Sequence, residues 1–496
     1  MVINQIKLRL GESRERIPQL IRKKTGKKVR NWRILKESID ARNKAEIRMV
    51  YSVEFNYDPK EDRDMEIPSA HSDKPPVITG FGPCGIFCGL VLARAGLKPV
   101  ILERGSDCER RTEQVELFWK EGILNTESNV QFGEGGAGAF SDGKLTTGIS
   151  DPRVAFILKE LAAHGGPEDI LYKARPHIGT DILKEVVKNI RQEIISLGGS
   201  VIFDAKVTGI ITEGCAVKGI RYIKDGEGKT LETDHAVFAI GHSSRDTLVW
   251  LRSMGIDMTQ KQFSMGVRVE HPQELIDRAQ YGKPAAELGL PAADYKLSMR
   301  TEDGRGVYTF CMCPGGQVIV ASSEEGMVVT NGMSYHARNS GYANSAVLCD
   351  VRPEDFGTDD VLGGMYLQQK YERIAFEKSR GYRAPKAAWK DIREGNAPQV
   401  TDCLPDFAVK SIKEAMPVFG RKIKGFDNDE AVMYAVESRS SSPVRFRRNE
   451  ELLGLISGRT LRGFYPSGEG AGYAGGIVSA ANDGIKAAMS IINSLE

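Results

Sequence analysis

The chain has 496 residues, 41% of them hydrophobic and 27% charged, a balance that excludes extended disorder and supplies enough apolar surface for two or three packed domains. No run approaches the roughly eighteen apolar residues that cross a bilayer, the start (MVINQIKLRL) lacks the apolar core of a secretory signal, and eight scattered cysteines do not form a disulfide framework, so a cytoplasmic location is expected. Net charge is +2 but uneven: residues 1–50 hold fifteen Lys and Arg against five Asp and Glu, so the remainder carries about −8.

The first segment, 1–58, predicts a small α+β module of the ferredoxin-like βαββ kind. Residues 3–10 alternate, 16–25 form a helix ending at Gly26, and β-rich runs follow at 32–40 and 46–56. Its basic face can neutralise the phosphates of a nucleic acid or meet an acidic protein, although a merely solvated face accounts for the same charges. The polar, proline-marked stretch 59–74 reads as a linker. From residue 75 the order is strand (PVIT), glycine turn, helix, strand (KPVILE), a βαβ unit with a parallel pair.

Two helices follow, PRVAFILKELAAHGG and DILKEVVKNIRQEIISLGG, each closing on a Gly pair, the second with Asp181 as its expected N-cap. Residues 200–241 supply strands SVIFDAKVTGI, AVKGIRYI and HAVFAIG, with DGEGK as a hairpin turn. Residues 246–443 change texture, with short strands (SMGVRVE, YKLSMR, VYTFCMC, QVIVASS) and then helices from about Met365, and read as a substrate or cap domain. Residues 444–496 return to strand, glycine cluster and helix. The expected fold is therefore α/β: a doubly wound, Rossmann-like FAD-binding domain in two parts (75–245 and 444–496), interrupted by a β-rich cap and preceded by the small module.

The motif that carries chemistry is VITGFGPCGIFCGLVLARAG. G-x-G-x-x-G falls on Gly80, Gly82 and Gly85, directly after a strand and opening a helix. Gly80 permits the tight turn, Gly82 lets a diphosphate approach the backbone beside Pro83, and Gly85 allows close helix packing. Glu103, twenty-three residues after Gly80 at the end of the next strand, is placed to accept both hydroxyls of an adenosine ribose; a carboxylate there favours FAD or NAD over NADP. FAD is favoured by two further clusters. One is FGEGGAGAFSDGKL, with Gly135, Gly136, Ala137, Gly138 and Lys144. The other is GFYPSGEGAGYAGGI, with Gly468 and Glu469 after a strand and Gly475, Gly476 and Ile477 opening an apolar helix that can stabilise negative charge on a reduced flavin.

On these residues, and on ESIDARNK, ERG at 103–105, NVQFGEGGAGAFSDGKL, AIGHSSRDT, TFCMCPGG, ANSAV, SRSSSPVRFR and GEGAGYAGGI, the chain from about residue 30 to its end resembles the uncharacterised FAD-dependent oxidoreductases described as NAD(FAD)-utilizing dehydrogenases. These have the glutathione-reductase-type fold. The resemblance implies that Val207 lies on the strand contacting adenine, that Gly241 ends the strand approaching the cofactor, that Gly135 to Gly138 approach the flavin and that Arg104 adjoins the ribose site. It implies no substrate. Related flavoproteins carry an aspartate where this chain has Glu469, whose contact with the ribityl chain is then direct or relayed.

The flavin performs electron transfer itself, so no dedicated base is obligatory. His242, next to Gly241, is a candidate contact to flavin or substrate, with a bond to a turn carbonyl as the plainer role. Cys311 and Cys313 alternate on a predicted strand, so their side chains point the same way. They could be a redox pair, half of a metal site, substrate contacts or simply packing, and no partner set supplies zinc spacing. Cys84 and Cys88 read as packing. Arg439, Arg445, Arg447 and Arg448 could hold an anionic substrate, and His336 with Arg338 forms a further polar candidate. No second G-x-G-x-x-G follows a strand, so electrons arrive from the small-molecule substrate itself or from a transient donor, NAD(P)H or a protein. The expected function is an FAD-dependent oxidoreductase, a dehydrogenase of an unidentified small molecule. The alternatives are a flavin-stabilised RNA- or protein-binding factor acting through the basic module, and a flavin monooxygenase.

Overall fold

The computed structural model describes residues 1–58 and 65–495. In the N-terminal module the strands Val2–Arg9, Trp32–Asp40 and Arg48–Phe55 form an antiparallel sheet with Arg48–Phe55 in the middle. The helix Ile17–Thr25 stops at Gly26, whose left-handed φ of 70° any other residue would resist. Ile17 and Ile21 turn inward on Ile6, Leu8, Val53 and Phe55. The module touches the rest of the chain through Glu37, whose N–H donates to the Tyr172 carbonyl at 2.8 Å, and through Ile47, which joins the core of residues 263–436. Part of the expected linker, 59–64, lies outside the described residues.

A five-stranded, all-parallel sheet follows in the spatial order Phe464–Pro466, Ala236–Phe238, Val77–Thr79, Val100–Leu102, Ser200–Ile202. Alternate residues divide it cleanly. Ile78, Ile101 and Val237 face the helices Pro83–Arg94, Thr180–Ser196 and Ile477–Ser494, while Val77, Leu102, Ala236 and Phe238 face a three-stranded antiparallel sheet, Ala205–Glu213, Ala216–Lys224 and Glu227–Glu232. Two helices cross almost backbone to backbone, since a Cβ at Gly484 would lie 2.1 Å from the Cys84 carbonyl oxygen.

Three expectations for this region are corrected. SVIFDAKVTGI is two strands in two sheets, because Asp204 takes a left-handed φ of 52° and turns the chain between them. The hairpin turn is Asp225-Gly226, and the rest of DGEGK belongs to the strand Glu227–Glu232. Asp181 is not an N-cap: Gly179 occupies that position, and Asp181 sits in the first helical turn, accepting the His336 N–H at 2.8 Å.

Residues 263–437 build a six-stranded sheet in the order Ser298–Arg300, Gly306–Cys313, Tyr342–Val351, Phe263–Pro272, Val432–Glu437, Lys386–Ala388, antiparallel throughout. Helices Gln273–Tyr281 and Asp406–Lys422 share its core. Met258–Gln260 and Val444–Phe446, where the chain passes into and out of this unit, pair with each other. Among the described residues no helix is long and apolar enough to cross a membrane.

Candidate functional site

A cleft of about 1920 Å³, including its open mouth, runs from the ends of the parallel strands to the antiparallel sheet. Near the parallel strands the chain turns at Gly80, where φ is 99°, and the helix Pro83–Arg94 begins at Gly82 without a side-chain cap. Its first amides therefore face the cleft with the favourable end of the helix dipole, a ready anion site. The bare backbone at Gly136 closes over this turn: a Cβ there would stand 2.9 Å from the Gly82 Cα. The helix Ile477–Ser494 offers a second uncapped N-terminus, at Gly476, and a Cβ on Gly475 or Gly476 would meet nothing within 4 Å, so these two leave open room.

Glu103 is buried and lines the cleft. Its carboxylate accepts the Phe81 N–H at 2.7 Å and the Gly105 and Gly133 N–H groups at 2.9 Å each, leaving acceptor capacity for a ribose hydroxyl. Arg104 lines the cleft as a wall. Its guanidinium is taken by Glu127 and Asp246 and lies 4.2 Å over the Phe132 ring. Pro83, Gly136, Ala137, Gly138, Lys144, Val207, Gly241, Glu469 and Ile477 also line the cleft. Gly85, Gly135 and Gly468 do not; a Cβ on Gly85 would lie 1.9 Å from the Gly80 carbonyl oxygen, so its role is packing.

His242 and Glu469 meet at the middle of the cleft. Glu469 accepts the His242 backbone N–H at 3.0 Å and pairs with imidazole Nδ1 at 2.6 Å, so the plain turn-carbonyl role expected for this histidine is replaced by a carboxylate partner. Burial raises the Glu469 carboxyl, but His242 outweighs it and the net shift is downward. The Nε2 of His242 has no partner. The Lys144 ammonium also lacks a hydrogen-bond partner, but forms an ion pair with the Asp142 carboxylate at 3.5 Å. Asp142 is held by Arg338 and Ser334.

The antiparallel sheet contributes Phe310, Cys311 and Glu437, a separate two-stranded hairpin (Gln317–Val320 and Thr330–Met333) contributes Thr330 and Asn331, and Arg439 follows the strand Val432–Glu437. Glu437 is fixed by a buried bidentate pair with Arg268 at 2.8 and 3.0 Å. The expectation of simple alternation at Cys311 and Cys313 is corrected: the pairing slips between Phe310 and Cys313, and Cys311 takes a φ of 43°. Cys311 lines the cleft, whereas Cys313 is fully buried behind it. The Cys313 thiol donates to the Cys311 carbonyl oxygen at 3.3 Å; the Cys311 thiol is shifted toward its thiolate by the neighbouring Cys313 thiol and then by Lys144 and Arg268, while Cys313 is held protonated.

The arginine group does not converge on the cleft. Arg445 is exposed, bonding the Gly472 carbonyl at 3.3 Å beside the Tyr473 ring, and Arg448 pairs with Asp483. Arg447 is exposed. Only Arg439 lines the cleft, and its guanidinium is bound by Glu372 and Glu324. His336 stacks on His177 at 5.1 Å. Cys84 and Cys88 are buried; Cys88 packs in the helix layer, whereas Cys84 also lines the cleft beside Pro83. Apart from the cleft, Glu160, His164 and Glu193 cluster, but Arg94 already binds both carboxylates, so they form an ion-pair network.

Residues 262–440 match the family model described as "FAD-dependent protein, C-terminal domain-like", and residues 1–56 match a domain of unknown function, DUF8436. An uncharacterised protein of Clostridium beijerinckii (strain ATCC 51743 / NCIMB 8052) is 45% identical over 535 residues, spanning 100% of this chain and 99% of that protein. The chain belongs to the family of this clostridial protein. FAD is the cofactor of this flavoprotein family's domain, and the cleft suits it: two uncapped helix N-termini, glycine backbones at the groove and an acceptor at Glu103.

Solved structures that resemble the flavoprotein chain include the flavin-dependent brominase Bmp2, with 13% identity, TM-score 0.40, and 85% of this chain and 79% of that one covered. The 3-ketosteroid-Δ4-(5α)-dehydrogenase of Rhodococcus jostii RHA1 has 13% identity, TM-score 0.37 and coverages of 87% and 100%. Likeness of this degree carries no functional information.

Proposed function

We propose that this flavoprotein is an FAD-dependent oxidoreductase that exchanges hydride or electrons with a small molecule held between bound FAD and the antiparallel sheet. The observation that carries the reading is the cleft itself: anion-seeking helix N-termini at Gly82 and Gly476 share one space with the unpartnered Nε2 of His242, the hairpin residue Asn331 and the sheet residue Glu437. The family description supports the cofactor half of the reading. In this arrangement residues 75–245 and 444–496 form the Rossmann-like cofactor domain, 246–443 the cap and 1–58 a separate module.

FAD would lie with its diphosphate at Gly82 and its ribose at Glu103, and it supplies the two-electron chemistry. The chain supplies proton handling. Removing hydride from a carbon that bears a hydroxyl or amine releases a proton, and His242 Nε2 is placed to take it while ionised Glu469 holds Nδ1 and steadies the imidazolium. Lys144 offers a cation to an anionic substrate or to negative charge building on the reduced ring.

The test is the absorbance spectrum of the purified protein, then anaerobic titration with NADH and NADPH, then a metabolite screen. Flavin bands bleached by one metabolite, with oxidised product in equal amount, support the reading. Protein that neither carries nor takes up flavin overturns it.

A further inference from the structure

We propose that Cys311 and Cys313 are a redox-active dithiol that exchanges two electrons with FAD in the cleft by making and breaking a bond between their sulfurs. The proposal rests on FAD occupying that cleft and adds a second two-electron centre beside it.

The geometry is specific. In a regular strand, residues two apart have Cα atoms about 6.6 Å from one another, close to the upper limit of about 6.8 Å for a disulfide. Here the strand Gly306–Cys313 is bulged at this place, and Cys311 sits at φ 43°, a left-handed conformation that a non-glycine residue resists. The bulge brings the Cys313 sulfur to 3.3 Å from the Cys311 carbonyl oxygen, on the same short turn of backbone as the Cys311 thiol. A backbone held in this way at the cleft wall calls for a use.

Access is one-sided. Cys311 faces the cleft; Cys313 is sealed, because a Cβ on Gly332 would lie 2.8 Å from its sulfur and one on Gly316 would lie 2.9 Å from its Cβ. Cys313 is thus reached only through Cys311, the layout of an outer thiol that reacts and an inner one that resolves. The cations Lys144 and Arg268, the latter bonding the Cys311 carbonyl at 3.2 Å, favour a thiolate at the outer position, while the inner thiol keeps its proton. A ring closed by adjacent-but-one residues is strained, which marks a labile, reversible bond rather than a structural one.

The step balances. Cys311 thiolate and Cys313 thiol form one S–S bond; the S–H bond of Cys313 breaks; two electrons and that one proton pass to FAD. The reverse step cleaves the S–S bond and returns them.

The experiment is anaerobic reductive titration of the oxidised holoprotein with dithionite, with thiols counted by alkylation and peptide mass at each stage. The wild type is expected to take up about four electrons per FAD, and Cys311→Ala and Cys313→Ser about two each. The peptide spanning 311–313 should carry two labels after reduction and none after oxidation. Should Cys313→Ser fail to fold, Cys311→Ala at the partly exposed position gives the same comparison. Holoprotein that takes up about two electrons with both thiols free throughout overturns the dithiol and leaves the flavin reading standing. Protein without FAD overturns both.

Discussion

Replacing Glu372 by Gln tests how the cap is tied to the cofactor side. Glu372 lies on the helix Gly363–Ser379 and is fully buried. It accepts Arg245 Nη1 and Nη2 at 2.9 and 2.8 Å, Arg439 Nε and Nη2 at 3.0 and 2.7 Å, and the Ser438 hydroxyl at 2.6 Å. Arg245 and Arg439 are themselves 3% and 4% exposed, and Glu324 is the second carboxylate of the group. With Glu372 ionised the four charges cancel. The amide keeps the shape but leaves one guanidinium charge unbalanced in the interior and turns an amide N–H toward other donors. Breaking a buried pair in this way costs about 3–5 kcal/mol, which lowers the melting temperature of the affected unit by roughly 10 °C.

The pH dependence is a second reading of the same variant. Burial alone would raise the Glu372 carboxyl, but the two arginines outweigh it and hold it far below its usual 4.5. A depressed folded-state value contributes stability above about pH 4.5 that is lost as pH falls toward that value. The gap between wild type and Glu372→Gln, measured by calorimetry, should be widest near neutrality and narrow in acid. A melting temperature within about 2 °C of wild type at pH 7, or a gap that has not narrowed by about pH 3, would refute the reasoning.

Gly82→Val keeps an extended backbone that valine accepts (φ −83°, ψ −175°) but fills the groove opposite Gly136; FAD affinity by fluorescence quenching should fall about tenfold or more with circular dichroism unchanged. His242→Gln should slow flavin reduction by the true substrate about 10²–10⁴-fold in stopped flow while bound FAD stays at wild-type content; equal rates would remove His242 from the chemistry. His177, pushed down to about 3 by burial and secondarily by Arg338, is neutral when folded, so its contribution is complete above the unfolded value near 6.5 and is lost as pH falls toward 3. Acid unfolding of His177→Gln should accordingly show a shallower slope across that window; an unchanged slope would mean the imidazole is already solvated.

The cofactor end was largely legible in the sequence because its constraints are local. The turn at Gly80, the groove at Gly82 and the packing glycine at Gly85 lie within six residues, and Glu103 follows at the end of the next strand. The same was true of the strands and helix of the N-terminal module. What was hidden depends on pairs far apart in the chain. Glu469 meets His242, Glu437 meets Arg268, and Arg245 meets Glu372, with no spacing rule to announce any of them. The bulge at Cys311 was also invisible, since TFCMC alternates like any strand, and the left-handed turn at Asp204 was masked by the continuous apolar run around it. The SRSSSPVRFR arginines looked convergent in one dimension, but Arg445 and Arg447 point to solvent from a strand whose alternate residues, Val444 and Phe446, are buried.

The parallel sheet carries a consequence for how the protein is made. Its edge strand, Phe464–Pro466, aligns with Ala236–Phe238, and the adjacent helix Ile477–Ser494 covers Pro83–Arg94. A nascent chain on the ribosome can complete the antiparallel unit first, but the nucleotide cleft stays unfinished until residues 464–494 emerge. A chain lacking residues beyond about 460 would keep four of the five parallel strands but lose the edge strand and the helix that covers Pro83–Arg94. The groove at Gly82 and the second helix N-terminus at Gly476 are thus completed by segments almost four hundred residues apart in the chain.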